Sequence, residues 1–253
     1  MKYLSLLIFG FALISISGCE EEKGPANLQL VFKGLFDGNT LVLNEDNTYV
    51  NGIPMRMSHL QFYIANIELK GDFGTIVKDI DVVDFSQNHM NAATAAQGET
   101  MTFEDVPPGT YTGLKFGIGV PPALNSMQPA EFAVGHPLSN TADHWTAWNS
   151  FIFAKVEGRS DEDDDGIFSG SILYHTGGDD LYREYENNSG FILVEGETTT
   201  VTLTLDALEL FYTATDTLDI INNGVSHTTP SDQVSVDIST FVMDNFIRAI
   251  NVE

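Results

Sequence analysis

Thiols are almost absent from this chain: of its 253 residues one is a cysteine, Cys19. A lone thiol forms no internal disulfide, so stability must come from a packed core, with a bound metal as the other available aid. Basic residues are scarce as well. Eleven Lys and Arg face 36 Asp and Glu, a formal charge of −25. That balance repels phosphate backbones and anionic membrane surfaces, which excludes nucleic acid as a partner. Helical periodicity is nearly missing, and the longest apolar run, Leu4 to Ile16, is too short to cross a bilayer. Gly-x-Ser-x-Gly, a catalytic cysteine and a phosphate-cradling glycine loop are all lacking. Carboxylates abound, but no spacing singles out a glycosidase pair, so the chain reads as a binding protein and not an enzyme.

What is present begins with an export signal. Lys2 supplies a positive start, the apolar run follows, and small residues Ser17 and Gly18 precede Cys19. The pattern resembles a bacterial lipobox, whose cysteine is lipidated and becomes the mature N-terminus. The expected order is a signal peptide over 1–18, an acidic tether over 19–27 and one domain over 28–253. Glu20-Glu21-Glu22 also resembles the signal that sends lipoproteins to the outer face of the outer membrane. The expected location is therefore the outer membrane, on its periplasmic or cell-surface face, with lipid on Cys19 as the membrane contact.

Alternation at period two dominates the rest. Leu28-x-Leu30-x-Phe32, Leu41-x-Leu43, the run His59 to Leu69, Val77 to Phe85, and Met101-x-Phe103 all read as half-buried strands. Further strands are expected through Leu114 and Phe116, Phe151 to Glu157, Phe168 to His175, Phe191 to Val194 and Thr199 to Leu205. Gly, Pro, Asn and Asp punctuate them, as at Lys70-Gly71-Asp72 and Pro107-Pro108-Gly109. The expected class is all-β, a single sandwich of short antiparallel strands with long loops and one or two short helices. Asp206 to Ala214 and Val234 to Ile250 are the helix candidates, and Met90 to Gly98 is a loop or one helical turn.

Four segments together resemble the MbnP-like family of copper-associated extracytoplasmic proteins. They are Leu60-Gln61-Phe62-Tyr63-Ile64-Ala65-Asn66-Ile67-Glu68-Leu69, then Pro108-Gly109-Thr110-Tyr111 with Lys115 to Val120 and Asn125. The third is His144-Trp145-Thr146-Ala147-Trp148-Asn149-Ser150-Phe151-Ile152-Phe153 with Lys155 to Gly158, and the fourth Tyr174-His175-Thr176-Gly177-Gly178. The resemblance implies a β-rich fold and a copper site made from histidine nitrogen and a tryptophan oxidised to kynurenine. It also implies a dihaem cytochrome c peroxidase-like partner that performs the oxidation. Trp145 and Trp148 are the chain's two tryptophans, and either could be the modified one. The family often has Trp-x-Trp here, whereas this chain has Trp-x-x-Trp with His144 before it. Trp148 can equally be a core indole.

Six histidines offer the nitrogen, and none forms His-x-His or His-Glu-x-x-His, so a site must be assembled from distant segments. His175, in its His-x-Gly-Gly setting, leads, followed by His144 beside the tryptophans and His59 at the start of its strand. Each could instead be structural or surface-exposed. His136, before Pro137, reads as a turn former, while His89 and His227 sit in polar loops and read as solvated. Met55, Met57, Met90 and Met127 could soften a Cu(I) site or simply fill space. A second cation, calcium, is suggested by Asp161, Asp163 and Asp165 at alternate positions, with Gly166 at the turn and the Ile167 carbonyl as a further donor. Ile172 stands where an EF-hand would place its bidentate Glu, so a complete EF-hand is excluded. A solvated hairpin tip is the alternative. The rival function is a calcium-stabilised surface sandwich that binds carbohydrate or protein through Trp145, Trp148 and Tyr182, without copper.

Overall fold

The computed structural model describes residues 24–71 and 74–253. Cys19, the three glutamates after it and Asp72 of the expected turn lie outside the described residues. Among the described residues strands account for 44% and α-helices number three, so the all-β expectation holds. Two sheets face each other. A five-stranded sheet is ordered Ile250–Val252, Thr198–Asp206, Ala26–Phe36 and Asn39–Thr40, with Glu99–Val106 also paired to Ala26–Phe36. An eight-stranded sheet is built around Pro54–Lys70. Its order is Arg183–Asn187, Gly113–Ile118, Pro54–Lys70, Ala154–Ser160, Gly170–Thr176 and Val225–Ser226. Asn47–Thr48 and Thr75–Asp84 also pair with the long strand.

Alternation does what the pattern demands. Leu28, Leu30 and Phe32 turn inward from one sheet, and Leu60, Phe62 and Ile64 from the other, all essentially buried. Phe32 meets Phe62 and Phe116 edge-on at 6.3 and 6.4 Å between centroids. Two details differ from expectation. The sheets are mixed: Ala26–Phe36 runs parallel to Thr198–Asp206, with Leu30 opposite Val201. The Pro54–Lys70 strand is also long, at 17 residues, because Ala154–Ser160 and Gly113–Ile118 pair with different halves of it.

Leu41-x-Leu43 forms no strand. Both leucines are buried, but the Leu41 and Leu43 amides donate to the carbonyls of Gly34 and His89, outside any ladder. The second helix candidate forms as one continuous 17-residue helix, Gln233–Ala249, one residue upstream of the expected span. Asp232 caps it by accepting from the Val234 amide, and Ile250 leaves it in extended conformation to pair with Leu205. Its inner face (Ile238, Val242, Phe246, Ala249) packs between the sheets, with Phe246 5.2 Å from Phe62. Asp206 to Ala214 keeps only a 3-10 turn, Ala207–Leu210, and Met90 to Gly98 only the helical turn Ala92–Ala95. Arg183–Asn187 is a strand that the sequence reading omitted.

Candidate metal centre

The outer face of the eight-stranded sheet carries a polar stripe. Register sets Glu157 opposite His59, and Lys155 opposite both Gln61 and His175, so these five side chains share one face. The segment 119–153 folds back over this face and is pinned at several points. Asn125 is buried and accepts from the Phe151 amide at 2.8 Å and the Ser150 hydroxyl at 3.0 Å, while its own amide donates to Asp179. Asp143, 3% exposed, pairs with the Lys155 ammonium and accepts from the Tyr63 hydroxyl at 3.1 Å. Burial and that carboxylate push the Tyr63 phenol well above its ordinary value.

The clamp presents a hairpin. His144–Trp145 pairs with Ser150–Phe151 around the turn Thr146 to Asn149, where Asn149 takes φ 52°. Trp145 and Trp148 stack across the turn, with centroids 4.7 Å apart and planes 10° from parallel. The hairpin rests on Gly177 so closely that a Cβ there would lie 2.5 Å from the Phe151 carbonyl and 3.3 Å from Trp148.

Beneath Trp145 lie two imidazoles. His175 ends the Gly170–Thr176 strand. His227 follows Val225–Ser226, which runs parallel to Leu173 and Tyr174, so continuing the register sets His227 beside His175. Their ring centroids are 5.2 Å apart. Trp145 is 4.7 Å from His227 and 6.2 Å from His175. His175 Nε2 is 2.8 Å from Glu157 Oε1. A carboxylate can only accept, so Nε2 carries the proton of this bond and Nδ1 is the ring nitrogen left over. Accepting from His175 holds the Glu157 carboxyl below its usual range.

Among the described residues, His175 Nδ1 and His227 Nδ1 are both buried with no hydrogen-bond partner. Burial and the adjacent His175 ring push the His227 imidazole below the ordinary histidine value, which keeps it neutral at pH 7. Two adjacent imidazoles, each with a buried and unpartnered Nδ1, are the nitrogen donor set that a borderline or soft cation takes. Rings sharing one ion at metal–nitrogen bonds of about 2.0–2.1 Å have centroids within about 6.5 Å of each other, and this pair satisfies that limit. Glu157 holds the His175 ring as an outer carboxylate would hold a metal-binding histidine.

The other expected residues lie elsewhere. His144 precedes Trp145 on a strand, so its ring points the opposite way and packs edge-on to Phe151 at 5.0 Å. Its Nε2 is also buried and unpartnered, and burial lowers its pKa. His59 shares the polar stripe but faces Gln61 at 3.2 Å and Asp84 at 4.0 Å. Trp148 is half-buried and stacks on Trp145, not in the core. Met55 and Met57 are core residues and Met90 is exposed. Tyr182 packs over Gly117 and bonds with Asn66, so it does not extend the indole stack. His227, read as solvated, belongs to the cluster, and a two-residue parallel bridge leaves no periodic signal to reveal it. His89, also read as solvated, is fully buried, its Nε2 accepting from the Gly34 amide at 2.9 Å.

At the far end of the Gly170–Thr176 strand, carboxylate oxygens of Asp161, Asp163 and Asp165 lie within 4.8 Å of one another. Asp161 is buried and accepts from the Gly166 amide at 2.8 Å and the Asp165 amide at 3.2 Å. The Ile167 carbonyl accepts from the Ser169 amide.

The MbnP family model matches residues 25–245. A solved structure described as MbnP from Methylosinus trichosporium aligns with TM-score 0.50 at 16% identity, over 73% of this chain and 76% of that one. At that identity the likeness speaks for the fold. No curated protein matches.

Proposed function

The chain belongs to the MbnP family, and on that premise we propose that it is an extracytoplasmic copper-binding protein whose metal is held by His175 and His227 beside Trp145. The observation that carries the reading is the pair of buried, unpartnered Nδ1 atoms on adjacent imidazoles. Leaving two such atoms without partners is costly in a folded protein, and a bound cation removes the cost. Copper suits imidazole. Structural zinc would ask for four protein donors, and no third His, Cys, Asp or Glu converges on these two among the described residues.

The third donor in this reading comes from Trp145. Indole has no lone pair to offer. Oxidative opening of its ring by a dioxygen- or peroxide-class oxidant, with one carbon leaving as formate, would create an aniline nitrogen and a ketone oxygen beside both histidines. Trp145 fits better than Trp148 because its ring is the one that meets the imidazoles. Thr146, Ala147 and Asn149 are exposed at the hairpin tip, where a dihaem peroxidase-like partner could approach. Native protein so modified gains about 4 Da in intact mass, one oxygen in and one carbon out. Lipid on Cys19 would hold the domain at the outer membrane and occupy the chain's one thiol. The Asp161–Asp163–Asp165 loop is a separate expectation: calcium there would relieve the mutual repulsion of three carboxylates, and would raise the thermal midpoint of wild type but not of Asp163→Asn.

Anaerobic Cu(I) titration against a competing chelator tests the copper reading. Wild type binds one equivalent tightly, His175→Ala and His227→Ala each lose that affinity, and His144→Ala keeps it. Equal uptake by all four proteins would refute the ligand assignment.

A further inference from the structure

The residue after His227 adopts a conformation that its type resists. Thr228 has φ 47°, in the left-handed region where a β-branched side chain is strained, and it is 7% exposed. Glycine would take this backbone freely. Yet the threonine hydroxyl is fully engaged. It lies 3.2 Å from the His175 carbonyl, 2.7 Å from the Ser239 hydroxyl and 3.3 Å from the Gly177 amide nitrogen. A hydroxyl has one proton and two lone pairs. The amide can only donate, so Thr228 accepts from Gly177, and it directs its single proton toward the His175 carbonyl and the Ser239 hydroxyl.

The position of these bonds matters. The parallel register between the two histidine-bearing segments ends at Tyr174 opposite Ser226, one residue short of His175 and His227. Beyond it, Thr228 reaches back across the gap and ties the segment carrying His227 to the backbone of His175. Ser226, Ser235 and Ser239 continue the link into the Gln233–Ala249 helix: Ser226 Oγ lies 2.8 Å from Ser235 Oγ and 3.3 Å from Ser239 Oγ, all buried. The Thr229 amide donates to Ser235 at 3.1 Å. The segment is thus fastened on both sides of His227 to a helix that is itself packed into the core.

We propose that Thr228 is a positioning residue that fixes the spacing of the His175 and His227 rings and thereby sets the metal affinity of the site. The proposal rests on the copper reading for its functional consequence, but not for its geometry. The test therefore has a metal-free arm. In full-length apoprotein, the nuclear Overhauser contact between the two imidazoles is compared in wild type, Thr228→Ser and Thr228→Gly, alongside Cu(I) competition titrations. Serine keeps the hydroxyl, so the ring contact persists and affinity stays within about threefold of wild type. Glycine relaxes the backbone but removes all three bonds, so the ring contact is lost and affinity falls about 10–100-fold. If wild type binds no copper, the metal reading fails while the ring contact still decides the positioning role. If Thr228→Gly does not fold, Ser239→Ala takes its place, with a weakened ring contact expected. Persistence of the wild-type ring contact in Thr228→Gly, or in Ser239→Ala where that stands in, overturns the proposal.

Discussion

Replacing Asp143 by asparagine should destabilise this protein far more than an ordinary charge neutralisation. Asp143 is 3% exposed, and the Lys155 side chain facing it is 15% exposed. The carboxylate takes the Lys155 ammonium on one oxygen, and the Tyr63 hydroxyl and the Asn140 side-chain amide on the other. Asparagine preserves the shape but leaves a nearly buried ammonium without a counter-charge. Breaking such a pair from one side costs about 3–5 kcal/mol, against about 0–1 kcal/mol for a solvent-exposed pair. In a domain of this size that corresponds to a thermal midpoint lowered by about 6–20 °C. Urea unfolding at pH 7 measures the loss directly. Asp143→Asn combined with Lys155→Met removes the orphaned charge, and should recover at least half of the loss. Amide exchange at Trp145 and Trp148 should quicken in the single variant, because Asp143 holds their hairpin to the sheet. A loss below about 1 kcal/mol, or a double variant that merely adds the two single effects, would refute the clamp.

Three further outcomes are expected. Burial depresses His89 to about 4 from 6.5, so its contribution to stability is complete above pH 6.5 and is lost as pH falls toward 4, at up to about 1.4 kcal/mol per pH unit. Urea midpoints between pH 7 and 4.5 should fall more steeply for wild type than for His89→Gln, which cannot titrate. Gly177→Ala drives a Cβ into the Phe151 carbonyl and should cost about 1–3 kcal/mol while shifting tryptophan emission to the red. Glu157→Ala leaves both imidazoles in place but frees the His175 ring, and should weaken Cu(I) binding about 10–100-fold with little change in the unfolding midpoint.

Periodicity carried most of the fold and part of the site. Period-two runs such as Leu28-x-Leu30-x-Phe32 describe burial on one face, and burial on one face is what the sheets demand. Leu41-x-Leu43 has the same sequence pattern without a ladder: Leu41, Val42 and Leu43 are all buried, and the Leu41 and Leu43 amides donate to the carbonyls of Gly34 and His89. Strand length and direction were not legible: nothing local in the Thr199 to Leu205 segment says that its partner, Ala26–Phe36, runs parallel. In the site, His175 and the two tryptophans were readable as candidates because each sits in a segment that resembles the family. His227 was not, since its place depends on a two-residue bridge and on serine and threonine contacts spread from Ser226 to Ser239. His89 shows the opposite failure: polar neighbours in sequence suggested water, while the fold used its Nε2 to satisfy a buried amide. The choice between the tryptophans also needed three dimensions, because only the hairpin turn decides which indole faces the histidines.

The measurement that bears most directly on the account is anomalous diffraction at the copper edge from crystals of the Cu(I)-loaded protein. The account predicts one strong peak within bonding distance of both His175 Nδ1 and His227 Nδ1, on the side facing Trp145. A peak at His144, at His59 or in the Asp161 loop, with none between His175 and His227, would contradict it.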